Sequence, residues 1–388
     1  MLAWKVAPAL AAGNTVVLKP AEYMPLTALA FAQIVSTCGL LEGVLYIVPG
    51  DGSTGAALVG AEGVDNVAFT GSTEVGRIIR RQTAGTGRPL MLELGGKSPF
   101  VVFADADHDA AVEGVVDAIW FNQGQVCCAG TRILVAEAVA ARFERKLAQR
   151  VATLRLGRSS QQEHRHGGNR ASRPARAESV SGGQGEGRGA VLTQGVAPQG
   201  YSYPPTIASE VEPASTFATE EIFGPVATIT TFRTSENAVA LANVSRYGLA
   251  ASIWSENVNL CLDLAAKVKA GVVWINGTDA FDAEANFGGY RESGFGREGG
   301  REGMAAYLRP PPAPRPGPRR RLHRRARRRP LRGSTGLPSS MWAACRSVRT
   351  RATCIAPLSA SRASQPQGRP QCGGSGAQGV RLGEEHRP

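Results

Sequence analysis

Short β-branched runs alternate with helix-length apolar stripes through the first 156 residues, and this alternation restricts the possible folds more than any other feature. Thr15 to Leu18 is such a run, bounded by Gly13-Asn14 and Pro20, and it predicts a buried strand. Leu26 to Cys38 carries a helical pattern that ends at Gly39, and Val44 to Val48 is strand-like before the turn at Pro49-Gly50. Asn66 to Thr70 is another strand candidate, after which Gly71 to Gly76 opens a helix through Arg81. Strand and helix at this spacing predict parallel βαβ units in a doubly wound sheet.

The pattern continues with Leu90 to Gly96 and the apolar run Phe100 to Phe103. Val112, Val115, Val116, Ile119 and Trp120 then mark one helical face, with Asp105 or Asp107 available as its N-cap. That helix leads into FNQGQVCCAG, residues 121 to 130. Thr131 to Val135 returns as a strand, and Val139, Phe143, Leu147, Val151 and Leu154 form a further stripe. Later strands are expected at Val226 to Phe232, Ala250 to Trp254 and Val272 to Asn276, with helices around Asn237 to Ala242 and Leu260 to Val268.

Two stretches break the pattern. Among the 34 residues from Gly157 to Ala190, Val180 is the sole member of the Val, Ile, Leu, Met, Phe, Trp, Tyr and Cys set, so 157 to 198 reads as disordered. From Arg309 to Pro388 there is no periodicity, and this tail also reads as disordered. It holds 18 Arg, no Lys and two Glu, against a net charge of +12 for the whole chain, so the preceding 308 residues are mildly acidic. The run Arg319 to Arg332 has only Trp342 as an aromatic companion and no DNA-binding motif, so nucleic-acid binding is not expected.

With 388 residues and 43% apolar composition, the chain has material for two domains of ordinary size. Seven Cys, two adjacent and three in the tail, do not form a disulfide framework, which points to a reducing compartment. Lys5 and Pro8 interrupt the opening apolar stretch and argue for a buried helix rather than a signal peptide. No run reaches the roughly 18 apolar residues of a membrane span. A cytoplasmic protein with no membrane partner is the expectation.

Five groups carry candidate chemistry. Gly71 to Gly76 at a strand-to-helix junction offers a phosphate site, with Ser72 adding a hydroxyl, although a plain turn capped by Thr70 or Ser72 uses the same residues. Lys19 and Glu22 follow a strand at the edge where open α/β sheets place ligands, and could equally form an exposed charged loop. Glu93, after Met91-Leu92 and before Gly95-Gly96, is a carboxylate in apolar company, suited to a general base or to capping the glycine pair. Cys127 and Cys128 lie among Gly124, Ala129 and Gly130, which leaves space around a nucleophilic thiol, and inert buried cysteines remain the alternative. Glu220 to Val226 is an acidic and aromatic turn before a strand.

Together these motifs, in order and separation, resemble the NAD(P)-dependent aldehyde dehydrogenase superfamily. LELGGKSP followed by FNQGQVCCAG is similar to the family's two active-site signatures, and VVLKPAE, FTGSTEVG, EEIFGPV, VVWIN and FGGYRESGFGREGG extend the similarity. It covers residues 1 to about 156 and about 200 to 308. The fold it implies is α/β, aldehyde dehydrogenase-like. Residues 1–92 would be a partial doubly wound cofactor domain, 93–284 an α/β catalytic domain, and 285–308 a segment returning to the cofactor domain.

By the same resemblance Cys127 is the nucleophile and Glu93 the general base. Lys19 and Glu22 would bind the adenine-side ribose, Gly71 and Ser72 the pyrophosphate, Glu221 and Phe223 the nicotinamide ribose and ring, and Leu94 and Gly95 would approach the nicotinamide by their backbone. The implied reaction takes an aldehyde to a carboxylic acid through a cysteine thiohemiacetal and thioester. NAD is the expected cofactor, since Glu22 would crowd a 2′-phosphate, and NADP is the alternative. No metal is implied, and homo-oligomers are typical of the family.

Departures from the family pattern set further expectations. The Glu113 to Ala118 helix and the ending Ala306 to Pro310 resemble the sixteenth, longer branch of the family. Met1 falls inside a helix preceded in the family by a segment whose Asn donates to the oxyanion, so the chain reads as N-terminally truncated. Loss of such a donor costs about a hundred- to thousand-fold in rate. An inactive fragment that keeps part of the fold is thus the alternative to an active enzyme. The similar compositions of 157–198 and the tail suggest out-of-frame translation of both.

Overall fold

The computed structural model describes residues 1–154, 156–157, 166–167, 191–194, 203–212, 214–308 and 352–356. In chain order the first strands are β1 (Thr15–Leu18), β2 (Leu45–Ile47), β3 (Asn66–Thr70), β4 (Leu90–Glu93), β5 (Pro99–Val102) and β6 (Arg132–Ala136). Then come β7 (Leu156–Gly157), β8 (His166–Gly167), β9 (Val191–Gln194), β10 (Thr206–Ser209) and β11 (Val226–Phe232). The last are β12 (Ala250–Trp254), β13 (Val272–Ile275), β14 (Gly294–Phe295) and β15 (Ala352–Ala356). Helices α1 (Leu2–Ala11), α2 (Leu26–Ser36), α3 (Gly52–Gly60), α4 (Thr73–Gln82), α5 (His108–Trp120) and α6 (Ala140–Ala152) separate the early strands.

Two main sheets result, with order β14-β4-β3-β15-β1-β2 in the first and β13-β12-β5-β6-β11-β10-β9 in the second. The first is parallel except for β14, which pairs antiparallel with β4 and sets Gly294 opposite Glu93. The second is parallel except for β9. The chain passes from one sheet to the other between Glu93 and Pro99, so LELGGKSP is the junction.

Both sheets are covered on both faces, and strand alternation decides which residue serves which face. Phe100, Val102, Ile133 and Val135 pack with α5 and α6. Their neighbours Val101, Phe103 and Leu134 face the helices Ser235–Asn243 and Val258–Lys267. In the first sheet Ala68 and Met91 join α1 and α2, whereas Val67, Phe69 and Leu92 join α3 and α4. The near-continuous apolar runs of the sequence follow from this two-sided burial.

Several boundaries differ from the sequence reading. Asp107, not Asp105, caps α5, accepting from the amides of Asp109 and Ala110 at 3.0 and 3.1 Å. Asp105 instead accepts from Ser255 Oγ at 2.9 Å. Helix α3, which the sequence reading passed over, is capped by Asp51, and the hydrogen bonds from Ser53 and Thr54 hold its carboxyl below the usual range.

Two short strands lie within the stretches that read as disordered. Val191–Gln194, just after the apolar-poor run that ends at Ala190, pairs antiparallel with β10, and this ladder takes up its backbone hydrogen-bonding groups. Ala352–Ala356, within the supposedly patternless tail, lies parallel between β1 and β3, with Thr15 opposite Ala352 and Asn66 opposite Thr353. A five-residue run has no room to show a period, and its placement is a long-range event. Apart from Gly157 and the short strand His166–Gly167, the remaining residues of both stretches, the Arg319 to Arg332 run included, lie outside the described residues. Among the described residues no helix is long and apolar enough to cross a membrane, and no cluster of potential metal ligands occurs.

Candidate active site

The loop carrying the two thiols leaves α5 through a tight turn, Phe121–Gly124, in which Asn122, Gln123 and Gly124 all have positive φ (48°, 64° and 73°). Gly124 is required here for a second reason. A Cβ on it would lie 2.3 Å from the carbonyl oxygen of Gly224, so the thiol loop rests directly on the EEIFGPV turn. Trp120, buried at the end of α5, adds a 3.2 Å hydrogen bond from its indole N–H to Pro225 O.

The glycine pair of LELGGKSP makes the second convergence. A Cβ on Gly96 would meet Cys127 O at 2.2 Å, and one on Gly95 would meet Glu221 Oε2 at 2.1 Å. The Gly96 N–H donates to Glu221 Oε1 at 3.0 Å. Three segments separated by tens of residues thereby pack backbone to backbone, with Cys127, Glu93 and Glu221 around one spot. Phe223, next along, is held at φ 54°.

The two cysteines differ in environment. Cys127 is half-buried and unbridged, whereas Cys128 is buried and its thiol donates to Asp279 Oδ1 at 3.4 Å. The hydrogen bond with Cys127 and burial push the Cys128 thiol well above the ordinary thiol range. Burial raises the Asp279 carboxyl to about 6. Trp4, Phe281 and Phe287 stack edge to face beside this pair, at 5.8 Å between the Trp4 and Phe287 rings.

Glu93 is 3% exposed, and neither carboxylate oxygen has a hydrogen-bond partner among the described residues. Burial first, then the nearby Glu298 carboxylate, raises its carboxyl well above the usual range; Cys127 also raises it, and Lys5 opposes. Lys5 and Glu298 form a buried ion pair with each other. The return segment pins Glu93 and its neighbours, with Leu94 N–H donating to Ser293 O at 2.9 Å and Ser293 Oγ donating to Gly95 O at 2.7 Å.

The remaining sequence candidates lie at the C-terminal ends of parallel strands in the first sheet. Lys19 and Glu22 follow β1, and Gly71 and Ser72 follow β3. Lys19 is buried, its stem 3.7 Å from where a Cβ on Gly55 would sit, and Glu22 is half-buried. Ser72 is the N-cap of α4, its hydroxyl accepting from Val75 N–H at 3.3 Å, so the capping alternative is realised. This does not remove the anion-binding character of the helix start, whose first amides have no intrahelical acceptor. The Gly71 amide donates to Glu93 O at 3.0 Å and so links this loop to the general-base candidate.

The sequence reading did not single out Lys5, Glu298, Lys97 or Asp279. Lys5 had an available signal, a charge within an apolar helix, which once buried demands a counter-charge. Lys97 is fully buried without a hydrogen-bond partner among the described residues, and burial with the nearby Arg132 lowers it to about 7. Nothing in the local sequence separates Asp279 from any other loop carboxylate.

Comparison with known proteins bears on the family and the fold. Residues 1–310 match the model of the aldehyde dehydrogenase family. The mitochondrial aldehyde dehydrogenase of Mesocricetus auratus is 44% identical over 318 residues, covering 79% of this chain and 62% of the relative. The betaine aldehyde dehydrogenase of Bacillus subtilis is 41% identical over 313 residues, covering 78% and 64%. The chain therefore spans somewhat under two thirds of these curated relatives. Among solved structures, betaine aldehyde dehydrogenase from Staphylococcus aureus in complex with NAD+ superposes with a TM-score of 0.75 at 36% identity, over 78% of this chain and 62% of that one. An NAD-dependent aldehyde dehydrogenase from Sinorhizobium meliloti gives 0.75 at 38% identity, over 78% and 61%.

Proposed function

This chain belongs to the aldehyde dehydrogenase family, and from that premise we propose that it oxidises an aldehyde to a carboxylic acid with NAD(P)+, using Cys127 as nucleophile and Glu93 as general base. The observation that carries the reading is the convergence of Cys127 O, the Gly95-Gly96 pair and the Glu221 carboxylate. It sets the half-buried Cys127 and the Glu221 carboxylate against the glycine pair that follows the buried Glu93.

Cys127 attacks the aldehyde carbon and forms the carbon–sulfur bond of a thiohemiacetal. The nicotinamide, when bound, accepts the hydride, which leaves a thioester on Cys127. Water then cleaves the thioester and releases the acid. Glu93 takes the proton of the thiol or of that water. Its carboxyl is raised well above the usual range, which makes its carboxylate a stronger base than an ordinary one. Burial is the main cause of that shift, with Glu298 adding to it and Lys5 opposing it.

The chain's residues fit a dinucleotide. Gly71 and Ser72 at the start of α4 suit the pyrophosphate, and Lys19 and Glu22, after the end of β1 in the same sheet, suit the adenine-side ribose. Glu221 and Phe223 suit the nicotinamide ribose and ring, and the backbone of Leu94 and Gly95 lies beside them. The NAD+ bound to the Staphylococcus aureus neighbour favours NAD over NADP.

The test is NADH formation with propanal and with benzaldehyde by the chain, by Cys127→Ala and by Cys128→Ala. Cys127→Ala is expected to lose activity by at least about a thousandfold, and Cys128→Ala to keep it within a few fold. Activity that survives the Cys127 substitution would refute the assignment.

A further inference from the structure

An ion network crosses from α4 to the Glu220-Glu221 turn and touches both ends of the cofactor site. Arg77, in the second turn of α4, pairs with Glu292 Oε1 at 2.6 Å. Arg246 Nε lies 3.2 Å from Glu292 Oε2, and Arg246 Nη2 lies 2.7 Å from Glu220 Oε2. The same Nη2 donates to Tyr247 Oη at 3.0 Å, and the guanidinium sits 5.0 Å from the centre of the Tyr247 ring. Arg246 is thus held on three sides, which distinguishes it from an isolated surface charge.

Glu220 is extended (φ −98°, ψ 146°), so its side chain and that of Glu221 point to opposite sides of the backbone. Glu220 reaches out to Arg246, and Glu221 reaches in to the Gly96 amide. Fixing the first therefore fixes the stance of the second. At the other end, Glu292 holds α4 twice, through Arg77 and by accepting at its carbonyl from Thr73 Oγ1 at 3.3 Å. Thr73 is the residue after Ser72.

We propose that Arg246 is a positioning residue for the cofactor site, which, through Glu292 and Glu220, sets the distance between the pyrophosphate loop at Ser72 and the nicotinamide-ribose carboxylate Glu221. The proposal rests on the reading of Ser72 and Glu221 as cofactor contacts. Arg246 acts through Glu292 and Glu220 and is assigned no contact with the cofactor. The four side chains are 36% to 45% exposed, so salt reaches the network.

The experiment measures NADH affinity by nicotinamide fluorescence and ADP affinity by calorimetry, on the full chain and on Arg246→Ala and Arg246→Lys. ADP spans only the Ser72 end, whereas NADH spans both. Arg246→Ala is expected to weaken NADH about five- to tenfold in low salt and to leave ADP within about twofold. Arg246→Lys recovers part of the loss, and the gap between wild type and Arg246→Ala closes at roughly 0.5 M NaCl. Unchanged NADH affinity in Arg246→Ala overturns the proposal, as does an equal loss for ADP, which is the result of a general structural role. Failure of the wild-type chain to bind NADH at all would overturn the cofactor reading and, with it, this one.

Discussion

The amide of Gly96 and the carboxylate of Glu221, 125 residues apart in sequence, meet in a 3.0 Å hydrogen bond, and the absence of a side chain at Gly96 lets Cys127 approach on the same side. One residue thus orients a carboxylate and leaves room for the thiol loop. Only backbone at Gly96 can do both.

Substituting that glycine tests the arrangement directly. A Cβ on Gly96 would collide with the Cys127 carbonyl at 2.2 Å, a backbone atom that cannot move without displacing the loop. Gly96→Ala is expected to cost about 1–3 kcal/mol of stability and most of the activity. Gly63→Ala, with nothing within 4 Å of its Cβ, serves as a neutral control. Urea unfolding and NADH formation read the two consequences. Equal behaviour of the two variants would contradict the close approach.

Glu93 should report its burial through pH. Its folded-state carboxyl lies above the unfolded value, so the native state holds a proton that the unfolded chain has released. Its contribution to stability is therefore full below the unfolded value and is lost as pH rises towards the folded one. Glu93→Gln should remove this loss and raise Tm at pH 8 relative to wild type, while the pH dependence of kcat/KM flattens as activity falls. A lower Tm for the variant at pH 8 would show instead that the carboxylate is stabilised in the fold.

The Lys5–Glu298 pair is buried on both sides. Removing one partner leaves an uncompensated charge, so Lys5→Met alone is expected to cost about 3–5 kcal/mol. Lys5→Met with Glu298→Leu should regain most of that. Chemical denaturation of the two singles and the double gives the coupling, and simple additivity would mean that the two charges do not depend on each other. Since the pair also acts on Glu93, the double variant should shift the pH profile of any remaining activity.

Local regularities were legible where local physics decides them. Strands Thr15–Leu18, Asn66–Thr70, Val226–Phe232 and Ala250–Trp254 fall where the apolar runs predict them, because a sheet covered on both faces needs apolar side chains on both sides of a strand. Helix α3 was missed because GSTGAALVG carries three glycines and little amphipathic contrast, and Asp51 starts it through capping. Val191–Gln194 and Ala352–Ala356 were missed because each is a strand only by virtue of the strands that receive it.

The sequence by itself determined the doubly wound pattern, the chemistry-bearing motifs and their order, since these depend on residue type and spacing along one segment. Tertiary structure decided which of two adjacent thiols is buried against Asp279 and which is half-buried beside Gly96. It also decided that Lys5 finds its counter-charge in Glu298, and that Glu93 lies among groups that keep its carboxyl protonated beyond the usual range. The reason is physical: desolvation and Coulomb interactions depend on distances through space, and the groups that set them here come from segments up to 293 residues apart.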